Sequence, residues 1–248
     1  MRNATQFLIA GLLALGAAGP LQADDRWQHT ITPYLFAAGM DGTTGVGPVT
    51  ADVSLSFGDI LDNLSWGAML AYEGQKGPYS IAFDLIYMDL EADKTGPNGL
   101  ISGDAQVQQT ALEVDFGYDV MPRVTVFGGL RYNNLDVDVR VRGSGPLGIE
   151  RKAGGSETWV DPVIGVRGEY PFAKNWSAGL RGDIGGFGVG SDFAWQVVSS
   201  ITWHASERIG VTGAYRYFQQ DYENGSGASF FKYDIATSGP QLGVAFTF

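Results

Sequence analysis

His204-Ala205-Ser206 sets a base and a hydroxyl two residues apart. Positions i and i+2 of a strand share a face, so the pair could come within the hydrogen-bond reach that a serine nucleophile requires. Glu207-Arg208 follows at once and reads as turn chemistry, so no catalytic residue is assigned and the chain is not expected to be an enzyme. The other histidine, His29, is far away in the chain, which leaves no histidine cluster for a metal. Gly182–Gly190 holds several glycines but lacks the following Lys-Ser/Thr of a phosphate loop, and no cofactor is expected. The chemistry that remains is charge. Glu73, Asp84, Glu113, Asp115, Asp161, Glu169 and Asp183, with Arg131, Arg167, Arg181 and Arg216, all fall inside segments of alternating polarity.

Those segments must position the charges. Period-2 alternation marks strands over Ile31–Met40, Trp66–Gly74, Tyr79–Leu90, Gln106–Tyr118, Val124–Arg142, Trp159–Tyr170, Trp176–Phe187, Phe193–His204, Ile209–Tyr222 and Ile235–Phe248. One face is apolar, as in Ile81, Phe83, Leu85 and Tyr87, or Leu112, Val114, Phe116 and Tyr118; the other carries the eleven charges. Short connections (75–78, 119–123, 171–175, 205–208) alternate with mostly longer polar ones (41–64, 91–105, 143–158, 188–192, 223–234). Short turns on one side and long loops on the other are the topology of a membrane-spanning up-and-down β-barrel. The expected fold is therefore all-β, a transmembrane antiparallel barrel of ten strands, with eight or twelve as alternatives. Residues 49–57 alternate as well, and 59–64 read as one helical turn capped by Asp59. Counting them into the wall gives odd parity, so 41–64 is expected to be an extracellular hairpin or an inward-folded insertion.

In a ten-stranded barrel the backbone radius is about 10 Å, which side chains largely fill. Confined arginines and carboxylates should pair, because an isolated buried charge is costly. The main expectation is an ionic network that fills the lumen, with a structural or surface-interaction role for the barrel. The alternative is a narrow channel for small hydrophilic or amphipathic solutes, mildly cation-favouring because seven acids face four arginines. Trp66, Tyr72, Tyr79, Tyr118, Tyr132, Tyr170, Trp176, Trp203 and Tyr217 lie near strand ends, where amphipathic rings form interfacial belts.

The ends of the chain point the same way. Arg2, an apolar run over 7–18 and the small-x-small site Leu21-Gln22-Ala23 read as a secretory signal peptide over 1–23. Arg2 is its one charge, so removal takes the formal net charge from -11 to about -12. That balance argues against nucleic acid as a partner. With Cys 0, an exported chain cannot rely on disulfides. Gly 36 and aromatic 12% are too glycine-rich for a helical bundle and too apolar for disorder, and no linker divides residues 24–248, read as one barrel domain. At the other end Leu242, Val244, Phe246 and Phe248 share the apolar face of the last strand, which stops at an aromatic.

From Thr30 to Phe248 the chain resembles the small outer-membrane β-barrel proteins of Gram-negative bacteria, the broad group of OmpA-like and OmpW-like barrels. The likeness is carried by the leader, the ten-segment alternation, Trp159-Val160-Asp161-Pro162-Val163-Ile164-Gly165-Val166-Arg167, Arg181-Gly182-Asp183-Ile184-Gly185-Gly186-Phe187 and the ending at Phe248. It implies residence in the cell outer membrane, contact with lipid and lipopolysaccharide, and recognition of the Leu242, Val244, Phe246, Phe248 strand by the barrel-assembly machinery. It further implies a monomer without the periplasmic domain of larger OmpA-type proteins. Members of the group serve as envelope scaffolds, adhesins or small-solute pores. The His204/Ser206 spacing also resembles outer-membrane phospholipases and lipid A deacylases, a distant alternative as a lipid-acting hydrolase; the expected topology puts the pair on the periplasmic side, whereas those enzymes act on the outer leaflet.

Overall fold

The computed structural model describes residues 26–95, 101–143 and 150–248. The leader over 1–23 lies outside them, as do 96–100 and 144–149 within two of the expected outer loops. The chain runs β1 (Gln28–Phe36), β2 (Gly39–Val46), β3 (Val49–Leu55), α1 (Phe57–Asp62), β4 (Leu64–Lys76), β5 (Tyr79–Thr95), β6 (Ile101–Met121), β7 (Val124–Gly143), β8 (Glu150–Ala173), β9 (Trp176–Gly185), β10 (Phe193–His204), β11 (Ile209–Asn224) and β12 (Phe231–Thr247). Among the described residues no helix is long and apolar enough to cross a membrane.

Ten strands close in the order β1-β4-β5-β6-β7-β8-β9-β10-β11-β12, and β12 pairs back to β1 from Thr30↔Thr247 to Phe36↔Gln241. Every ladder is antiparallel, and His29 and Phe248 exchange both backbone hydrogen bonds at 3.0 and 2.9 Å, so the last residue is tied into the seam. Closure leaves no free edge at this end of the wall, which a membrane barrel requires because lipid satisfies no backbone group. Leu242, Phe246 and Phe248 point outward at 59%, 45% and 68% exposure.

The first strand differs from its expected form. Ile31–Met40 is split into β1 and β2 by a break at Ala37-Ala38, after which β2 follows the outer half of β12 from Gly39↔Ser238 to Val46↔Phe231. The backbones crowd there: a Cβ on Gly42 (φ 151°) would lie 2.0 Å from the Asp234 carbonyl oxygen, so only glycine fits. β2 keeps the register of β1 on β12, from Phe36↔Gln241 to Gly39↔Ser238, and β3 is a hairpin partner of β2 alone, so the pair prolongs the wall outward. α1 begins earlier than expected and is capped by Ser56, not Asp59. Asp59 is the third helical residue, accepting from the Ser56 amide at 2.8 Å while Ser56 Oγ accepts from the Asp59 amide at 3.2 Å.

The outer ends are also longer than the alternation suggests. β5 to β8 form one projecting sheet, and β11, β12, β2 and β3 form a second. β9 and β10 stop short between them.

Candidate functional site

Alternation sends the lumen face inward as a stack of layers. At the mouth beside the short turns a vestibule of about 550 Å³ is lined by Arg167, Glu169, Ser177 and His204 among others. Arg167 donates to Glu73 at 2.7 Å and to Ser80 at 2.9 Å. His204 is bonded to Ser177, Nε2 to Oγ at 3.0 Å, and the Glu169 carboxylate lies 3.8 Å from that same nitrogen. A catalytic acid has to orient the base through its other nitrogen, so this is not triad geometry. Ser206 instead accepts from the Arg208 and Ile209 amides at 3.2 and 3.1 Å, closing its own turn. The structure thus corrects the His204/Ser206 pairing: the turn hydroxyl is occupied and the imidazole binds a different serine.

Above the vestibule is a cavity of about 330 Å³, where Arg216 donates to Asp84 at 2.8 Å and Tyr34 donates to the same carboxylate at 2.6 Å. Next comes the densest layer. Arg131 donates to Glu113 at 2.6 Å and to Asp183 at 2.8 Å; Arg181 bonds Glu113, Asp115 at 3.0 Å and Asp183 at 3.1 Å. Glu113, Arg131 and Asp183 are almost fully buried. The guanidinium carbons of Arg131 and Arg181 sit 4.7 and 4.5 Å from the ring centroids of Phe218 and Phe127. These five charged side chains project from β6, β7 and β9 and meet near the barrel axis.

Asp161 stands apart, fully buried with no arginine. It accepts from the Ser191 amide at 2.6 Å, Ser191 Oγ at 2.9 Å, Gln220 at 2.6 Å and Asn133 at 3.4 Å. Two of those four bonds come from the 186–192 connection, which is thereby pinned over the short end of β9.

The outermost layer is apolar. Met40, Ile60, Leu135, Trp159, Tyr222, Phe231, Tyr233 and Ile235 form one buried cluster, with Trp159 stacked on Tyr222 at 4.2 Å between centroids. It bridges the two projecting sheets. Burial raises the Tyr222 phenol above its ordinary range, helped by the Glu157 carboxylate, and pushes Tyr233 up to about 12.

All eleven charges named from the sequence occupy the lumen face, with Glu169 at the open mouth. Ten hydrogen-bond to arginine, carboxylate or neutral partners, and Glu169 only approaches His204. Sequence reasoning missed Tyr34, Phe127, Asn133, Gln196, Phe218 and Gln220 on that face, although parity with Arg131 marks Phe127 and Asn133, and parity with Arg216 marks Phe218 and Gln220. It also missed the apolar outer layer. Among the described residues no group of three His, Asp or Glu could hold a metal.

A closed antiparallel wall, outward apolar faces and a charged lumen define an outer-membrane-type β-barrel. No protein-family model and no curated relative matches the sequence. Among solved structures the chain is similar to the outer membrane protease OmpT from Escherichia coli, at 8% identity and a TM-score of 0.58, over 93% of this chain and 99% of that one. It also aligns with the translocator domain of the autotransporter NalP from Neisseria meningitidis (14% identity, TM-score 0.42, 91% and 90% covered) and with Ail, the attachment invasion locus protein of Yersinia pestis (11%, 0.38, 90% and 98%). The OmpT likeness supports the barrel fold and nothing finer.

Proposed function

We propose that the protein is a non-enzymatic outer-membrane barrel, monomeric and closed along its axis, whose role is structural or surface-interacting through its two projecting sheets. The observation that carries this reading is the Arg131 layer: Arg131, at 2% exposure, spans Glu113 and Asp183 in the middle of the lumen with Arg181 beside it. A hydrated ion would have to break charge-assisted bonds to pass. The lipid-facing aromatics and the outward Phe246 and Phe248 suit contact with lipid and lipopolysaccharide and recognition of the last strand by the assembly machinery.

Planar-bilayer recording tests the closed axis. Pure, folded protein is expected to stay silent, and Arg131→Ala with Arg181→Ala to give current. A steady current from the unaltered protein overturns the reading in favour of the narrow channel, for which the two cavities below the Arg131 layer would be the periplasmic half.

A further inference from the structure

Charged side chains lining the two cavities below the Arg131 layer are sorted by sign around the barrel. The carboxylates of Glu73, Asp84, Asp115 and Asp119 stand on β4, β5 and β6. The guanidiniums of Arg123, Arg167, Arg181 and Arg216 come from the turn into β7 and from β8, β9 and β11. Glu169 on β8 is the exception among the described residues, at the rim beside His204. The ion pairs therefore cross the lumen: Arg167 to Glu73 at 2.7 Å, Arg216 to Asp84 at 2.8 Å and Arg181 to Asp115 at 3.0 Å. Acids along one wall and guanidiniums along the other set up a field across the chamber.

One of these crossings is a bar between the two cavities. Glu73 and Arg167 line both, so their pair lies where the vestibule meets the cavity above it. The Arg167 and Glu73 side chains keep 18% and 43% of their surface exposed, whereas those of Arg131 and Asp183 keep 3% and 0%. A partly exposed pair exchanges partners at little loss, because water screens its attraction. Above the bar the wall is built of short side chains, Thr30, Thr32, Ala71, Ala82, Ala214 and Gly243, which leaves room for a small polar body.

At the mouth the pairing stops. Asp119 is held by neutral donors, Thr125 at 2.6 Å and Gln75 at 3.1 Å. Arg123 has no carboxylate within ion-pair distance among the described residues, and its guanidinium carbon lies 5.9 Å from the Tyr170 ring centroid. Arg123 also takes φ 69° directly after Pro122, at a turn position where glycine is the ordinary residue. Backbone strain at an unpaired guanidinium points to a use for that side chain.

We infer that the chamber binds a small zwitterion, one ammonium and one carboxylate on a short polar stem, as in a free amino acid or dipeptide. The ligand enters the Arg167–Glu73 bar with its ammonium on Glu73 and its carboxylate on Arg167, and Arg123 attracts the carboxylate at the mouth. One crossing pair becomes two, and the chamber keeps its balance of charge. A lone anion or cation would leave Glu73 or Arg167 uncompensated, so the sorted signs select a dipolar ligand. This goes beyond the closed-axis reading, because the site lies beneath the Arg131 layer and needs no passage through it.

The test uses the full chain in micelles of an uncharged detergent, with glycylglycine as probe, saturation-transfer NMR as readout and empty micelles subtracted. Saturable binding is expected. N-acetylglycine and glycylglycinamide, which each lack one of the two charges, should bind at least about tenfold more weakly. Glu73→Gln should abolish the preference over N-acetylglycine, and Arg167→Gln the preference over glycylglycinamide. Arg123→Gln should weaken glycylglycine about threefold to tenfold with both preferences kept. Absence of saturable binding to the native chain overturns the proposal. So does a singly charged analogue that binds the native chain as tightly as glycylglycine, or preferences that survive both bar substitutions in folded, heat-modifiable protein. Bilayer conductance reports on the axis separately, so the two readings can fail independently.

Discussion

Arg131 and Asp183 are 52 positions apart in the chain and 2.8 Å apart in the lumen. Their contact joins β7 to β9 across the strand between them, and Glu113 on β6 completes the bridge at 2.6 Å. Removing one partner of such a buried set leaves the others uncompensated. Arg131→Ala should cost about 3–5 kcal/mol, read as a lower urea midpoint for loss of the heat-modifiable gel form. Replacing Arg131, Glu113 and Asp183 together by apolar residues of similar volume should cost far less, and a triple variant as weak as the single one would refute this account.

Asp161 holds the 186–192 connection with two bonds from Ser191. Asp161→Ala strands the Ser191 amide, Gln220 and Asn133, a loss of about 1–3 kcal/mol concentrated in that connection. Limited proteolysis should then cut near Phe187 and Val189, which are already exposed at 50% and 75%. Asp161→Asn keeps acceptor oxygen toward the loop and should be cut more slowly.

Glycines on the two faces should respond differently. A Cβ on Gly165 would lie 2.4 Å from the Phe127 ring and 2.7 Å from the Asp183 Cβ, whereas one on Gly213 meets nothing within 4 Å. Gly165→Ala should destabilise by about 1–3 kcal/mol through overpacking, and Gly213→Ala should stay within about 0.5 kcal/mol. Thermal midpoints of the gel shift separate the two.

The barrel and the lumen side of each charge are legible because both faces of a membrane strand differ, so Leu112, Val114 and Phe116 alternate against Glu113 and Asp115. Legibility fails where that contrast ends. At the outer ends of β5, β6 and β8, around Glu91, Asp104 and Glu157, no lipid-facing run marks the alternation, so strand reads as loop, although the ladders run on to Thr95↔Ser102 and Arg142↔Glu150. Trp159, Tyr222 and Tyr233 look like belt or lipid residues by type; parity with Asp161 and Gln220 sends the first two inward, and Tyr233 follows as the register partner of Tyr222.

Tyr233 makes the outer layer pH-sensitive at the alkaline end. It stands five residues outward of Ser238, the register partner of the belt residue Tyr217, and burial pushes its phenol up to about 12. An unfolded chain releases that proton near the ordinary tyrosine value of about 10. Between pH 10 and 12 the unfolded state is therefore deprotonated while the folded state still holds its proton. Stability contributed by the buried phenol is complete below about pH 10 and falls as pH rises through this window. Tyr233→Phe should flatten the slope between pH 10 and 12 relative to the native chain, measured as the difference in urea midpoint across that range. Parallel slopes for the two proteins would mean that the phenol is already in contact with water.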